Sequence, residues 1–585
     1  MTHSYYDEIN KHYEPTDIED VSEFYKLIER KSLTKQLSAE RPYVYWTMEV
    51  YDQENGIKGG GGLGVLAADT RRVAEQLDVP FVMVTPFFGE ETHQAVNGFR
   101  QEEYHTNVSP QDFGYKYIDN VQIKFKDSQD ASLYIYEKQL GSTKFITMTE
   151  PNFGELYAGG GSSDHRLYQQ TSLGFGGYHA LKKVGIKPAI IQLNETATIF
   201  AALARLDELC SNGMNLYEAI VYVRKHTLYT NHTLIQAAES AFSYDQFERF
   251  VFPNIKSKTL RGWITRQFDN GIIKPSSLAV ELAEAKNGVS RLHAKVADFR
   301  DRDGDKVKFH AVTNGIDMKT WVSSSIMNFY EKENILDKFG LASEDYKEKI
   351  DAVDPHKLRE LKREGRRELL EVLSRRKNQY GKPVVIPEDA FIFDFKRRFI
   401  SYKRPGMVFE DIDRLRDILE KNNAHYILTG KTHQVDFAMK DLLAEILHKV
   451  DQDDILRERV HYLQDYDEEL GRALSVGADA AINVPIVGLE ACGTSWEKDI
   501  ANLKILISTA DGGVADIMPV VCLEVTGKTH DDERESLFRQ MEKAIYINSS
   551  DEYLAHTVKR QLKAYLPTIS GVRMMKDYLR FLFDN

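Results

Sequence analysis

The chain has 585 residues, 42% of them hydrophobic, so it is too long for one hydrophobic core and we expect two large lobes. Its formal net charge of −13 argues against nucleic acid or an anionic membrane as a partner. Cys210, Cys492 and Cys522 form no CxxC pair, so neither a disulfide framework nor a metal site is predicted, and a reducing cytoplasm is expected. No signal sequence and no run of about 18 apolar residues is found, so we expect a soluble protein.

Short apolar runs that alternate with amphipathic helical stretches predict an α/β fold along the whole chain. In the first half, strand-like runs at 44–46, 80–84, 189–193 and 228–230 are bounded by helical or glycine-rich segments. These elements predict a first Rossmann-like lobe over residues 1–322.

The second half begins with charged helical sequence over about residues 323–385 and then alternates strand and helix again. Its strand-like runs read FIFDFK, HYILTGK, VHYLQ, AAINVP and KILIST. We therefore expect a second lobe over 323–571 and a final amphipathic segment, 572–585, that packs back on the first lobe. Two doubly wound lobes place a ligand cleft between them, at the carboxyl ends of the strands.

A glycine-rich run, GGGGLG at 59–64, precedes a helical stretch. Bare backbone amides at a helix N-terminus can approach an anion closely, which indicates a phosphate site. A tight structural turn between a strand and a helix explains the same residues, and both interpretations stay open here.

Five cationic residues lie at the end of the strand-like run FIFDFK. Lys396 is its last residue, and Arg397, Arg398, Lys403 and Arg404 follow it. So many positive charges repel one another unless an anion or several carboxylates lie among them. The alternative is the solvated start of a basic helix.

The run EACGTSWEK at 490–498 follows another strand-like segment. Its Gly-Thr-Ser turn can open a helix whose free amides hold a phosphate, with Lys498 one turn inside that helix. A lysine in this position is a candidate for a covalent link to an aldehyde. Spacing alone favours an ordinary surface lysine.

Eight motifs in order resemble those of the glycogen/α-glucan phosphorylases, from about Tyr45 to Asp516. They are GGLGVLAAD, QLNET, TNHT, SRLHAKV, VTNGIDMKTW, RRFISYKRP, LQDYD and EACGTSWEKDIAN followed by STADGG. The resemblance implies a GT-B fold, two Rossmann-like lobes with the active site between them. It also implies that pyridoxal 5′-phosphate is the cofactor and that its aldehyde is bonded to the motif lysine. In this family the phosphate group of the cofactor, not the imine, takes part in catalysis.

The resemblance also implies roles for individual residues. Lys498 matches the cofactor lysine, and the positions that surround the cofactor match Thr494, Ser495, Trp321, Tyr466 and Arg397. Arg398 and Lys403 match the catalytic cations that hold the substrate phosphate, Gly62 matches an amide that clamps it, and Leu63 matches a sugar contact. Groups that bind the hydroxyls of the reacting glucose match His232, also taken as catalytic, and Asn314, Tyr402, Glu490, Ala491, Cys492 and Gly493.

The implied reaction is phosphorolysis of an α-1,4-glucan or related oligosaccharide by inorganic phosphate, giving α-glucose 1-phosphate with retained configuration. A proton passed between two phosphates replaces the paired carboxylic acids of ordinary glycoside hydrolysis. The chain departs from the family pattern at Ala197, Cys492, Trp496 and Glu497. For Glu497, a solvent-facing side chain is favoured over one that acts on the cofactor lysine.

Two other hypotheses remain. A nucleotide-sugar-dependent retaining glycosyltransferase of the GT-B fold uses the same residue types as Glu490, Arg398 and Lys403, and it predicts tight nucleotide binding without a cofactor. A non-catalytic carbohydrate-binding or regulatory homologue would explain Ala197, Trp496 and Glu497, but a dead site has little reason to keep a cluster of buried charge. The resemblance suggests a homodimer, and the sequence does not specify the donor glucan.

Overall fold

The structure is a computed structural model that describes residues 37–57, 61–126, 129–154, 156, 163–233, 239–297, 299–300 and 305–583. These residues form two compact units. The first unit takes residues from 37–91, 106–313 and 575–583, and the second takes residues from 92–105 and 314–574. The units divide at 313/314, whereas the sequence placed a lobe boundary at 322. The lobes 1–322 and 323–571 and the packing of 572–585 on the first lobe stay predictions.

Most of the strands up to residue 311 belong to one central sheet. The strands up to this residue are β1 (Tyr43–Trp46), β2 (Phe81–Pro86), β3 (Glu90–Asn97), β4 (Arg100–Asn107), β5 (Lys116–Ile123), β6 (Ala131–Leu140), β7 (Thr143–Thr149), β8 (Ile190–Asn194), β9 (Thr227–Asn231), β10 (Phe242–Ser243), β11 (Ile272–Ile273), β12 (Ala285–Gly288) and β13 (His310–Ala311). The central sheet of the first unit has the order β13-β12-β9-β8-β1-β2-β7-β6-β5. It is parallel from β13 to β7, and β6 and β5 are added antiparallel.

Helices cover the sheet of the first unit because its parallel strands are apolar on both faces. They are α1 (Gly62–Gln76), α2 (Ser163–Thr171), α3 (Gly177–Lys183), α4 (Phe200–Ser211), α5 (Leu216–Lys225), α6 (Tyr244–Phe250), α7 (Lys258–Thr265), α8 (Pro275–Leu282) and α9 (Arg291–Val296). Trp46, Val84, Ile146, Ile191 and Leu203 are fully buried in the core of this unit.

A six-stranded, fully parallel sheet forms the centre of the second unit. Its strands are β14 (Phe391–Lys396), β15 (Ala424–Thr429), β16 (Val460–Leu463), β17 (Ala480–Asn483), β18 (Ile505–Ser508) and β19 (Leu523–Glu524). Their order is β16-β15-β14-β17-β18-β19, so β14 and β17 lie side by side in the middle. Leu369, Ile392, Ile427, Leu463 and Leu474 belong to the core against this sheet.

The remaining helices follow residue 317. They are α10 (Met318–Trp321), α11 (Ser324–Lys332), α12 (Tyr346–Ala352), α13 (Pro355–Leu373), α14 (Ile412–Lys421), α15 (Phe437–Asp451), α16 (Asp454–Arg459), α17 (Glu468–Gly477), α18 (Ser495–Ala501), α19 (His530–Asn548), α20 (Asp551–Ile569) and α21 (Gly571–Phe583). Within the described ranges, none of the helices has the length and apolar character needed to cross a membrane.

The predicted α/β class is confirmed, and each strand-like run named from the sequence corresponds to a strand: β1, β2, β8 and β9 in the first unit and β14 to β18 in the second. The sequence did not predict the hairpin β3–β4 or the antiparallel strands β5 and β6. These strands carry many polar residues on an exposed face, as in RQEEYHTN of β4, so they lack the continuous apolar run of a buried parallel strand.

Candidate functional site

The carboxyl ends of β14 and β17 bring together the two sequence segments that were singled out in the second half. Arg397 and Arg398 directly follow β14, and the run from Glu490 to Lys498 follows β17. Because the two strands are adjacent and parallel, both segments emerge at the same edge of the sheet.

One carboxylate, Glu490, faces two of the predicted cations at this edge. Its Oε2 accepts a hydrogen bond of 2.8 Å from Arg397 Nη2, and its Oε1 lies 3.5 Å from Lys403 Nζ. Glu490 and Arg397 are buried. A Cβ added to Gly493 would meet Arg397 Nη2 at 2.7 Å and Glu490 Oε1 at 2.8 Å, so a larger residue there would force these two side chains to move. Glu490 therefore fixes the positions of Arg397 and Lys403.

The five predicted cations separate into two groups. Arg404 pairs with Glu533, and Lys396 pairs with Asp394 and Asp499. Arg397 and Lys403 share the carboxylate of Glu490, and Arg398 is close enough to Lys403 for its charge to lower the pKa of that lysine. Arg397 Nη1 is buried without a hydrogen-bond partner among the described residues. The solvated-helix interpretation is therefore wrong for the buried Lys396, Arg397 and Arg404, and the remaining excess of positive charge suits an anion.

The ammonium group of Lys403 is strongly perturbed by this environment. Burial lowers the pKa of Lys403 to about 7, and Arg397 and Arg398 contribute in the same direction, whereas Glu490 opposes them. Burial also raises the pKa of the nearby Asp511 carboxyl to about 7. That carboxylate accepts backbone hydrogen bonds from Leu489, Glu490 and Gly512, and so it fixes the loop that carries Glu490.

An anion bound beside Lys403 should favour its charged form, so binding should take up a proton above about pH 7. We expect the affinity for sulfate to fall as pH rises from about 7 to 9, by at most about tenfold per pH unit. Titration calorimetry in buffers of different ionisation enthalpy measures both the affinity and the proton uptake. Sulfate is a suitable probe because its own charge is constant over this range.

A Lys403→Arg variant separates the two groups that titrate near pH 7. Arginine stays charged, so the part of the pH dependence that comes from Lys403 should vanish, and any remainder belongs to Asp511. An unchanged pH dependence in the variant would show that Lys403 does not control anion binding.

Lys498 lies in the short helix α18 and is buried, with 6% of the residue exposed. Its Nζ is 3.2 Å from the centroid of the Trp321 ring. Asn502, which the sequence did not indicate as important, donates one amide hydrogen to the carbonyl of Trp321 at 2.9 Å and one to that of Lys498 at 2.8 Å. The surface-lysine interpretation is therefore wrong, because lysine, ring and helix end are fixed as one group.

The other residues of the second unit that were predicted to contact the cofactor or the sugar differ in their hydrogen bonds and burial. Thr494 is the N-cap of α18 and makes no side-chain cap hydrogen bond, so the first turn, from Ser495, keeps open donors. Asn314 Nδ2 donates to the carbonyl of Cys492 at 3.1 Å. Burial raises the pKa of both Tyr466 and Tyr402, so these phenols stay protonated. Ala491 is buried beside Cys492, whose thiol is free.

The expectation for Glu497 is wrong, because its side chain does not face solvent. Glu497 is fully buried, and from Trp496 onward every residue of α18 is buried, so the helix has no exposed face on which to place a charge. Burial first and then the carboxylates of Glu497 and Asp516 raise the pKa of Cys492. Trp496 packs edge-on against Tyr565, with 5.2 Å between ring centroids.

In the first unit, the glycine-rich run forms the start of α1. Gly59 and Gly60 lie outside the described residues. Gly61 donates its amide to Glu49 Oε2 at 3.1 Å, and α1 begins at Gly62, which is exposed with open space around it. Gly61, the N-cap, has no side chain to cap the helix, so amides of the first turn, including that of Leu63, remain open for a ligand.

His232 lies at the end of β9 in the first unit and is held in one orientation. Its amide donates to Glu195 Oε1 at 2.5 Å, and its Nε2 lies 2.7 Å from Asn194 Oδ1. Burial, together with His293, lowers the pKa of His232 to about 3, so the ring is neutral at ordinary pH and Nε2 is assigned as the donor. Glu195 lies in the QLNET motif, but the sequence predicted no role for it; its φ of +74° is unusual for a non-glycine residue.

Comparisons with known proteins give one family and several relatives. The family model described as carbohydrate phosphorylase matches residues 179–568. The chain is 26% identical to a maltodextrin phosphorylase of Thermococcus litoralis, over 92% of this chain and 70% of the relative. It is 25% identical to a glycogen phosphorylase of Aquifex aeolicus, over 93% and 86%. A glycogen phosphorylase of Mycobacterium tuberculosis is 26% identical over 77% of this chain and 58% of that protein.

Proposed function

Because the chain belongs to the carbohydrate phosphorylase family, we propose that it cleaves an α-1,4-glucan or a related oligosaccharide with inorganic phosphate. The product is α-glucose 1-phosphate, with retained configuration at the anomeric carbon. The names of the relatives, maltodextrin and glycogen phosphorylase, support this substrate class. The observation that carries the proposal is the buried excess of positive charge at the edge of the second sheet, where Arg397 and Lys403 share one carboxylate.

We propose pyridoxal 5′-phosphate as the cofactor, because the residues present in the second unit fit it. Lys498 offers a buried amino group over the face of Trp321. Arg397 Nη1 has a buried N–H that finds no acceptor within the described part of the chain, and Thr494 makes no side-chain cap hydrogen bond to the first turn of α18, so donors for a phosphate group are available. When bound, the cofactor supplies a phosphate group that can exchange a proton with the substrate phosphate.

Arg398 and Lys403 are proposed to bind the substrate phosphate and to offset the repulsion between two phosphate groups held in contact. A phosphate dianion favours the ammonium form of Lys403, which holds its proton at Nζ while the anion is bound. Tyr466, partly buried and protonated, lies close enough to Lys396 for the lysine charge to oppose the rise in its pKa, and it is proposed to contact the cofactor.

The sugar is proposed to be held by hydrogen bonds and by exclusion of water. The neutral ring of His232 is fixed by Asn194 and Glu195 and so presents a constant face to a sugar hydroxyl. Further hydroxyl contacts are proposed for Asn314, Tyr402, Glu490, Ala491, Cys492 and Gly493, with Leu63 against the ring and the amide of Gly62 on the phosphate. A closed site protects the developing oxocarbenium ion from water. We propose the GT-B arrangement of the two units, and a homodimer, on the strength of the family resemblance.

The test is the reaction itself. The purified chain, incubated with pyridoxal phosphate, is mixed with maltoheptaose and phosphate, and sugar phosphates are followed by ¹H and ³¹P nuclear magnetic resonance. We expect α-glucose 1-phosphate at a rate that depends on the phosphate concentration. Replacing phosphate by chloride should stop product formation.

Two outcomes would contradict the proposal. Release of free glucose at the same rate without phosphate would indicate a hydrolase. Transfer from a nucleotide sugar to maltoheptaose, with no sugar phosphate formed in the presence of the cofactor, would indicate the glycosyltransferase alternative.

A further inference from the structure

A basic groove lies on the first unit. The groove is a cavity of about 470 Å³. We use the name basic groove for the cavity lined by Arg291, Lys295, Lys306, Lys308 and Phe309, together with three small or aliphatic residues. Its volume is in the range of small-molecule sites, about 300–1,000 Å³.

The charge of the groove has one sign. Its described lining contains four cationic side chains and no acidic one. Within the described ranges, Lys295, Lys306 and Lys308 form no ion pair, and Lys306 Nζ donates only to the backbone carbonyl of Lys295 at 3.4 Å. The chain as a whole has a net charge of −13, so such a concentration of positive charge runs against its composition. A bound anion would offset the mutual repulsion of the cations.

The positive field extends to a neighbouring histidine. His310 begins the short strand β13, between Phe309 and Ala311 of the groove lining. Burial lowers the pKa of His310, and the charges of Lys308 and Lys286 lower it further. A further cation, Lys286, is therefore close enough to add to the field of the groove.

We propose that the basic groove binds a phosphate ester that carries two or more negative charges. Lys295, Lys306 and Lys308 at one cavity can pair with several phosphoryl oxygens. Val307, Ala294 and Ala311 supply apolar surface for the organic part of the ligand. Sugar phosphates and nucleoside phosphates share this chemistry. The inference does not depend on the proposed function.

A single helix, α9, lies between the groove and Asn231. Arg291, Ala294 and Lys295 of α9 line the groove, while His293 of the same helix is buried. His293 Nε2 donates to Asn231 Oδ1 at 3.0 Å, and its Nδ1 accepts from the amide of Val289 at 3.3 Å. Asn231 directly precedes His232. A ligand in the groove is therefore distinct from one at His232, and the experiment must locate the bound anion.

The bound anion can be located on the full-length protein by measuring lysine acetylation rates with mass spectrometry. Three probes with several negative charges are compared. Pyrophosphate has no organic group, fructose 1,6-bisphosphate carries its phosphates on a sugar, and adenosine triphosphate carries them on a nucleoside. We expect at least threefold slower acetylation of Lys306 and Lys308 with one or more probes. Lys187 and Lys258, exposed on the same unit, serve as internal controls whose rates should not change. The most protective probe identifies the source of the phosphate.

A charge-reversal variant, Lys306→Glu/Lys308→Glu, gives an independent measurement by titration calorimetry. We expect the affinity of the groove for the best probe to fall at least tenfold, while Lys187→Glu/Lys258→Glu, with the same change in net charge, stays within twofold of the wild type. Equal protection of all four lysines, or protection reproduced by sodium chloride at the same ionic strength, would overturn the proposal. Equal affinity losses in the two double variants would overturn it as well.

Discussion

Replacing Lys498 by alanine should lower kcat/KM for phosphorolysis by at least about a thousandfold and should abolish the retention of pyridoxal phosphate after borohydride treatment. The physical reason is that the lysine is a buried amino group held at one place. Its Nζ lies 3.2 Å from the Trp321 ring centroid, and Asn502 ties the carbonyls of both residues together. Absorbance and fluorescence spectra of the borohydride-treated protein, taken with the assay of product, measure both effects.

A second substitution separates the covalent role of Lys498 from its packing role. Lys498→Arg keeps a cation that can lie over Trp321 but removes the primary amine. We therefore expect its thermal unfolding midpoint to be closer to that of the wild type than the midpoint of Lys498→Ala. The loss of cofactor should be the same in both variants. Lys319→Ala, an exposed lysine in the neighbouring helix α10, is the control and should keep both cofactor and activity. An alanine variant that still traps the cofactor irreversibly would contradict the assignment of Lys498.

The elements that the sequence predicted well are those whose pattern is local. β14 and β17 are buried, mainly apolar strands followed by charged or glycine-rich segments, and a parallel sheet places such segments at one edge. The position of Arg397 beside Glu490 follows from that rule once the two strands are known to be neighbours. The order of strands along the sheet is a long-range property that the local pattern does not contain.

Charge partners could not be predicted in the same way. Lys396 and Arg397 look equivalent in the sequence, but adjacent residues at a strand end point to different sides. Lys396 meets Asp394 and Asp499, whereas Arg397 meets Glu490. Glu497 was expected to face solvent because charged residues usually do so, yet α18 is enclosed by the unit on all sides. The positive φ of Glu195, which aims its carboxylate at the amide of His232, has no signal in a single sequence.

Asp394, Lys396, Asp499 and Lys504, which we call the charge quartet, form a closed set of buried ion pairs beneath the Lys498 site. Lys504 Nζ lies 2.6 Å from Asp394 Oδ1 and 3.0 Å from Asp499 Oδ1, and Lys396 Nζ lies 3.2 Å from Asp394 Oδ2 and contacts Asp499 as well. Burial alone would raise the pKa of Asp499, but the two lysines hold it below its ordinary value. The quartet is neutral overall, with two charges of each sign.

Replacing Asp499 by asparagine should destabilise the protein by about 3–5 kcal/mol, because it leaves two buried lysines with one carboxylate. Equilibrium urea unfolding followed by circular dichroism should show the transition midpoint lowered by about 1 M or more. Asp413→Asn is the matched control, since the Asp413 side chain is 85% exposed, and it should change the unfolding free energy by less than about 0.5 kcal/mol.

A compensating variant tests whether the loss comes from unpaired charge or from the shape of the site. Asp499→Leu combined with Lys504→Met removes one charge of each sign and leaves Asp394 paired with Lys396. We expect it to recover at least half of the stability lost in Asp499→Asn, because a buried ion pair replaced by apolar groups of similar volume often costs little. If the double variant is less stable than Asp499→Asn, the hydrogen bonds of the quartet matter more than its charge balance. In that case the quartet stabilises the junction of β14 and α18 by geometry, and any single substitution in it should also lower the affinity for sulfate beside Arg397.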